Sequence, residues 1–270
     1  MSDIHHLHLQ YRLSEVRHRY GPRVHILSHP TLMTILARLC SPRTRQPAVS
    51  RMTAQLYRSM ALMIADAEFP RVRARVETRM RRYHREGVYE GEIIDPGTRV
   101  VLVDVVRAGM LPSQVCFEAF CELVNPDGVR QDHFFSQRIT VNGRVTGADL
   151  RGSKVGGRYD GRIVVVPDPM AATGSSLATV LEYIEGLKRG RARKVIAAHL
   201  IVTPEYIRRV RQAHPGVEIY AIRLDRGLSS KNALKSVAGA RWAEERGLNE
   251  HQYIVPGAGG FGELLSNAQE

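Results

Sequence analysis

The chain has 270 residues, 43% of them hydrophobic and 24% charged, which is enough apolar mass for a core and too much for a disordered polymer. Lys and Arg number 39 against 27 Asp and Glu, a net charge of +12 that calls for an anionic partner without choosing among nucleic acid, acidic membrane and phosphorylated metabolite. The longest apolar runs, 100–106 and 196–202, fall far short of the roughly 20 residues that span a bilayer, residues 1–10 lack the shape of a secretion signal, and Cys40, Cys116 and Cys121 form neither a CxxC pair nor an even disulfide set, so the expectation is a soluble cytoplasmic protein with structural thiols and no membrane partner.

Residues 1–26 form an N-terminal extension, expected to be helical, ahead of a single domain over 27–270. From Arg51 to Ala67, Met52, Leu56, Met60, Met63 and Ile64 recur at spacings of three and four, which predicts an amphipathic helix. Arginines at 71, 73, 75, 79 and 81 then alternate with small or apolar residues, a period of two that predicts a strand. With Val88–Ile94 it makes a β-hairpin arm over 71–94. No stacking aromatics interleave the arginines, so a solvated face or subunit arm is favoured over a nucleic-acid groove.

After Pro96-Gly97 buried strands alternate with helices. Strands are expected at 100–106, 163–166, 194–202 and 217–222, with helices at 111–124, 176–187 and 205–213. The fold class that follows is α/β, a mostly parallel sheet flanked by helices. Functional residues should sit just beyond the carboxyl ends of its strands, after Val106, Val166, Val202 and Ile222.

Three motifs mislead. Gly257 to Gly262 spells GxGxxG, but eight residues cannot supply the βαβ unit that a dinucleotide needs. Gly147 to Lys154 comes near a phosphate loop with the final residues reversed and no strand before it, and reads as a polar loop. His5, His6 and His8 read as a polar tail rather than a metal site.

The informative run is Val164-Val165-Val166-Pro167-Asp168-Pro169-Met170-Ala171-Ala172-Thr173-Gly174-Ser175-Ser176. Prolines end a buried strand, and a loop of small and hydroxylated residues leads into a helix whose N-terminus offers free N–H groups. Asp168, five residues before Thr173, is placed to accept hydrogen bonds from a sugar diol whose phosphate lies in the loop. Phosphate plus ribose is the implied ligand.

The stretch Asp168-Pro169-Met170 with Ala172-Thr173-Gly174 and Ser176 resembles the phosphoribosyl pyrophosphate motif of the uracil phosphoribosyltransferase family, which has the type I phosphoribosyltransferase fold. His29-Pro30 with Leu32, Arg107-Ala108-Gly109 after a strand, and Asn249 through Gly257 are similar to further family segments in the same order, so the resemblance covers about residues 27–262. It implies transfer of phosphoribosyl from phosphoribosyl pyrophosphate to uracil, giving UMP and pyrophosphate. By resemblance Asp168 and Arg107 are the catalytic residues. Arg107, Arg138, Asp168, Pro169, Met170, Ala171, Ala172, Thr173, Gly174, Ser175 and Ser176 would bind phosphoribosyl pyrophosphate, Arg138 being placed by its distance before Asp168. Tyr253, Ile254, Pro256, Gly257, Gly259, Gly260 and Phe261 would face the uracil. Mg²⁺ is expected to arrive on the pyrophosphate, since no carboxylate cage is visible. The resemblance also brings a homodimer or higher homo-oligomer as expected partner and nucleotide binding with GTP among the candidates; nucleic acid is disfavoured as a partner and left open.

Two departures stand out. The family's Pro-Gly-Leu-Gly-Asp-Ala-Gly-Asp is here Pro256-Gly257-Ala258-Gly259-Gly260-Phe261-Gly262-Glu263, so an aspartate beside both substrates has become Gly260, and Phe261 is expected to crowd or stack on the base. An insertion over 229–248 divides a repeated Arg-Gly-Leu and is expected to be partly helical and packed. The rival reading is an impaired homologue that senses phosphoribosyl pyrophosphate or a nucleotide, or regulates by binding RNA.

Overall fold

The computed structural model describes residues 3–135, 137–141, 144–150 and 152–268, with the backbone alone described over 137–149. The N-terminal segment starts with one helical turn, α1 (Ile4–Leu7), and runs extended to β1 (Val24–Ile26). Its apolar residues are drawn to opposite faces of the sheet, Leu13 onto one core cluster and Tyr20 into the other, which no single helix could satisfy. Helix α2 (Pro30–Leu39) opens with proline in its first turn and buries Leu32, Leu36 and Leu39. Helix α3 (Ala48–Glu68) buries Leu56, Met60 and Ile64 of the stripe that the spacing predicts together with Tyr57, while Met52 and Met63 are partly buried against the same core.

The arm consists of β2 (Arg71–Glu77) and β3 (Val88–Ile94), paired antiparallel. The expected strand stops four residues early. The Thr78 hydroxyl accepts the Met80 amide (3.3 Å) and starts a tight helical turn over Arg79–Arg82. Across the hairpin Arg75 meets Glu90 (3.2 Å) and Arg71 meets Glu92 (3.8 Å), so glutamates of β3 offset the arginine face.

Beyond the arm come β4 (Val100–Val106), α4 (Met110–Cys121) and β5 (Val129–Phe135), then the antiparallel pair β6 (Gln137–Val141) and β7 (Arg144–Asp149). They are followed by β8 (Ile163–Pro167), β9 (Met170–Ala171), α5 (Ser175–Gly186), β10 (Lys194–Val202), α6 (Pro204–Ala213) and β11 (Val217–Leu224). Short α7 (Lys231–Leu234) and α8 (Phe261–Leu265) close the chain. Seven strands form one parallel sheet in the order β1-β11-β10-β8-β4-β5, with β9 beside β10.

Alternate residues of each strand feed two cores. Leu102, Val165, Ala198 and Tyr220 pack toward α2, α3 and α4, whereas Val101, Val164, Ala197 and Ile219 pack toward α5 and α6. Continuous apolar strands are thereby explained by burial on both faces. Among the described residues no helix is long and apolar enough to cross a membrane. The insertion holds α7 and a tight turn over Trp242–Glu244, and Trp242 packs edge to face on Tyr20 (5.0 Å).

Candidate active site

A cavity of about 680 Å³ opens at the carboxyl ends of the central strands, where the chain leaves β8 for β10 on one side while β4 flanks the other. The position follows from the topology of a doubly covered sheet. Asp168, Met170, Ala171, Ala172, Thr173, Gly174, Ser175 and Ser176 all line it. Gly174 caps α5 with φ +79°, a left-handed conformation that glycine adopts freely, and turns the chain sharply into the helix. The Thr173 hydroxyl accepts the Ser175 amide (3.3 Å) and meets the Ser175 hydroxyl (2.8 Å), gathering two oxygens at the helix N-terminus. The N–H groups and dipole of α5 thus point to where a phosphate would sit.

Asp168 is held from below. Its carboxylate accepts the Met170 amide (3.3 Å), while its carbonyl accepts from Nδ1 of His199 (2.6 Å). Nε2 of His199 lies 2.6 Å from the Tyr206 hydroxyl, which donates to it. The two bonds together select the neutral imidazole with its proton on Nδ1. Burial agrees, pushing the His199 pKa down to about 4. Burial also pushes the Asp168 carboxyl up to about 6, the Met170 amide opposing it.

Arg107 follows β4 and stands half-exposed at the rim, its Nη2 3.1 Å from Oε1 of Glu263. It is Glu263, on α8, that lines the cavity. The segment after the insertion is anchored at three points. Glu205 accepts the Gly247 amide (2.9 Å), buried Asp225 accepts the Gly257 amide (2.7 Å), and Arg223 donates to the Gly257 carbonyl (3.1 Å) while pairing with Asp225 (2.6 Å). Tyr253 and Gly260 of this segment reach the cavity.

The other residues expected at the base do not line it. Ile254 and Phe261 belong to the core, Phe261 only 3% exposed, and Pro256, Gly257 and Gly259 shape the loop behind. Phe261, expected to crowd or stack on the base, is the first residue of α8 and packs inward rather than lining the cavity. Pro169 is buried, its carbonyl accepting the Leu200 and Ile201 amides. Arg138 falls in β6, and its side chain lies outside the described residues. Gly257 to Gly262 leads only into the five-residue α8.

Sequence reasoning missed His199, Tyr206, His251, Gln252 and Glu263 as cavity residues. The one available signal was His199, the polar interruption of an apolar strand. As for a cation, the cavity offers two carboxylates, Asp168 and Glu263. The candidate three-residue donor cluster found among the described residues, His25, Glu68 and Glu218, sits near the amino ends of the strands. The cavity thus suits an ion that travels with its ligand rather than one caged by protein.

The uracil phosphoribosyltransferase family model matches residues 26–241, which is 216 of the 270 residues. The uracil phosphoribosyltransferase of Polaromonas naphthalenivorans is 27% identical over 242 residues, covering 90% of this chain and 97% of that one. That of Thermococcus kodakarensis is 34% identical over 100 residues, 37% of this chain and 34% of its own length. The solved structure of the AQ2163 protein from Aquifex aeolicus superposes with a TM-score of 0.67 over 90% of this chain and 97% of that one at 21% identity, a likeness of fold. A family-model match over most of the chain, on a mostly parallel sheet flanked by helices, establishes that the chain belongs to the uracil phosphoribosyltransferase family of enzymes.

Proposed function

We propose that the protein transfers a phosphoribosyl group from phosphoribosyl pyrophosphate to uracil, giving UMP and pyrophosphate. The observation that carries this reading is the meeting, in one cavity, of Asp168, the hydroxylated N-terminus of α5 and the Tyr253–Gly260 segment. In this reading Thr173, Ser175, Ser176 and the first N–H groups of α5 hold the 5′-phosphate, and ionised Asp168 accepts from the ribose hydroxyls. The bond from the anomeric carbon to pyrophosphate breaks with its electron pair leaving on pyrophosphate. N1 of uracil forms the new bond and its proton is released to solvent. Arg107 at the rim meets the negative charge that develops on the leaving group, and a divalent cation carried in on the diphosphate would supply further charge neutralisation there. His199 and Tyr206 fix the backbone of Asp168 and so its carboxylate.

The direct test is uracil-dependent pyrophosphate release from phosphoribosyl pyrophosphate with Mg²⁺, with cytosine, adenine, guanine and hypoxanthine as controls. Release with uracil alone is the expected result. Pyrophosphate release with none of these bases, by a protein that still binds phosphoribosyl pyrophosphate, would favour the sensor reading that Gly260 suggests.

Gly174 gives a second test. A Cβ there would meet Val210 Cγ2 at 3.3 Å and Tyr206 Cδ2 at 3.4 Å, on a backbone that costs an L-residue about 1–2 kcal/mol. Gly174→Ala should destabilise the protein by about that amount and raise the KM for phosphoribosyl pyrophosphate about fivefold, read by thermal melts and initial rates. An unchanged KM would mean that the phosphate binds elsewhere.

A further inference from the structure

Two carboxylates line the cavity among the described residues, and one of them, Glu263, has no part in the reading above. Its position is unusual in two respects. Oε1 is 3.1 Å from Nη2 of Arg107, and both side chains are about half exposed, so the pair is of the kind that solvent weakens and a stronger anion can break. Its other oxygen, Oε2, lies 2.7 Å from the point where a Cβ at position 260 would be. Gly260 has φ −73° and ψ 93°, a conformation open to any residue. Backbone strain therefore gives no reason for glycine there. The Glu263 carboxylate fills the volume that a side chain at 260 would take, and a Cβ there would have to displace that flexible end.

Resting on the proposed reaction, we propose that Glu263 supplies the carboxylate that position 260 lacks and is a positioning residue for Arg107. Glu263 holds the Arg107 guanidinium at the rim. Diphosphate carries more charge and takes the guanidinium, and the freed carboxylate turns into the cavity, where Gly260 leaves it room. There it faces the sugar on which positive charge develops as pyrophosphate departs. Glu263 thus opposes diphosphate binding and favours turnover.

The test is a split between affinity and rate that a merely structural brace would not produce. Binding of inorganic pyrophosphate with Mg²⁺ is measured by calorimetry at fixed ionic strength, and kcat and KM for phosphoribosyl pyrophosphate by initial rates. Glu263→Gln should bind pyrophosphate about three- to fivefold more tightly, the range in which an exposed ion pair competes. Its kcat should fall tenfold or more while KM also falls. Gly260→Ala should give the same tightening, because the Cβ pushes the flexible end of Glu263 off Arg107. The double variant should bind no more tightly than Glu263→Gln alone. Gly260→Asp combined with Glu263→Ala should recover much of the turnover that Glu263→Ala loses.

Unchanged pyrophosphate affinity in Glu263→Gln overturns the proposal, and so does a raised KM with kcat intact. Additive tightening in the double variant overturns the shared-volume argument. Should the wild-type protein bind pyrophosphate yet show no turnover with any base, the proposed reaction fails. The affinities of the variants then still decide whether Glu263 competes for Arg107.

Discussion

Asp168→Asn is expected to lower turnover about a hundredfold while making the unliganded protein more stable at neutral pH. The two effects share one cause. Burial raises the Asp168 carboxyl from 3.8 to about 6, so the folded chain holds that proton more tightly than the unfolded chain does. The resulting contribution to stability is fully present below the unfolded pKa and is lost as pH rises through about 6. At pH 7.5 the fold carries a desolvated charge costing on the order of 3 kcal/mol at most. Asparagine is neutral throughout and escapes that cost. Wild type and variant should melt together near pH 3.5 and diverge by several degrees at pH 7.5, the variant being higher.

Catalysis runs the opposite way. The neutral amide no longer offers two charged acceptors to a sugar diol, a loss of the order found when one preorganised electrostatic contact is removed. The wild-type kcat/KM for phosphoribosyl pyrophosphate should rise with pH through about 6, as the free enzyme's carboxylate ionises, and the residual activity of the variant should not follow that rise. Melting curves that keep a constant separation from pH 3.5 to 7.5 would show that Asp168 is not desolvated. Unaltered turnover would show that the sugar binds elsewhere.

Glu245→Ala is expected to cost about 3–5 kcal/mol, the loss found when one partner of a buried ion pair is removed. Glu245 is 1% exposed and joins three separate segments. It accepts from the Tyr20 hydroxyl (2.5 Å), from Nη1 of Arg226 (2.8 Å) and from the Gly239 amide (2.8 Å). Alanine would strand the largely buried Arg226 charge and the Tyr20 hydroxyl together. Tm should fall by roughly 10 °C. None of these residues lines the cavity, so turnover per folded molecule should stay within a few-fold of wild type. A fall of less than about 2 °C would mean that the insertion over 229–248 is attached loosely and that its buried network contributes little.

What could be read from the residues alone was local or periodic. The alternation of apolar runs at 100–106, 163–166, 194–202 and 217–222 with helical spacings between them determined a covered parallel sheet, because strands buried on both faces must be apolar throughout. The loop from Asp168 to Ser176 is contiguous, so its place between a buried strand and a helix N-terminus was legible without any knowledge of its neighbours. Strand β5 was not legible. Its Arg130, Gln131, Asp132 and His133 carry no strand pattern and no element was expected there, yet Asp132 is fully buried, satisfied by the Tyr159 hydroxyl (2.8 Å), Arg130 (3.1 Å) and the Gly156 amide (2.9 Å). Two of these three partners lie more than twenty residues away, and no local window along the chain contains them all.

The same limit separates the two halves of the site. In the proposed reading the phosphate side is one segment, whereas the base side depends on which way α8 faces. The tertiary packing turned Phe261 into the core beneath the cavity and left Glu263, two residues on, facing Arg107. Likewise His199 was visible as a polar residue in an apolar strand, but only the packing of α6 brought Tyr206 to its Nε2 and so fixed its tautomer. Period and contiguity lie within the sequence. The direction of a short terminal helix, and the pairing of buried polar groups from different strands, are set by the packing of the whole chain.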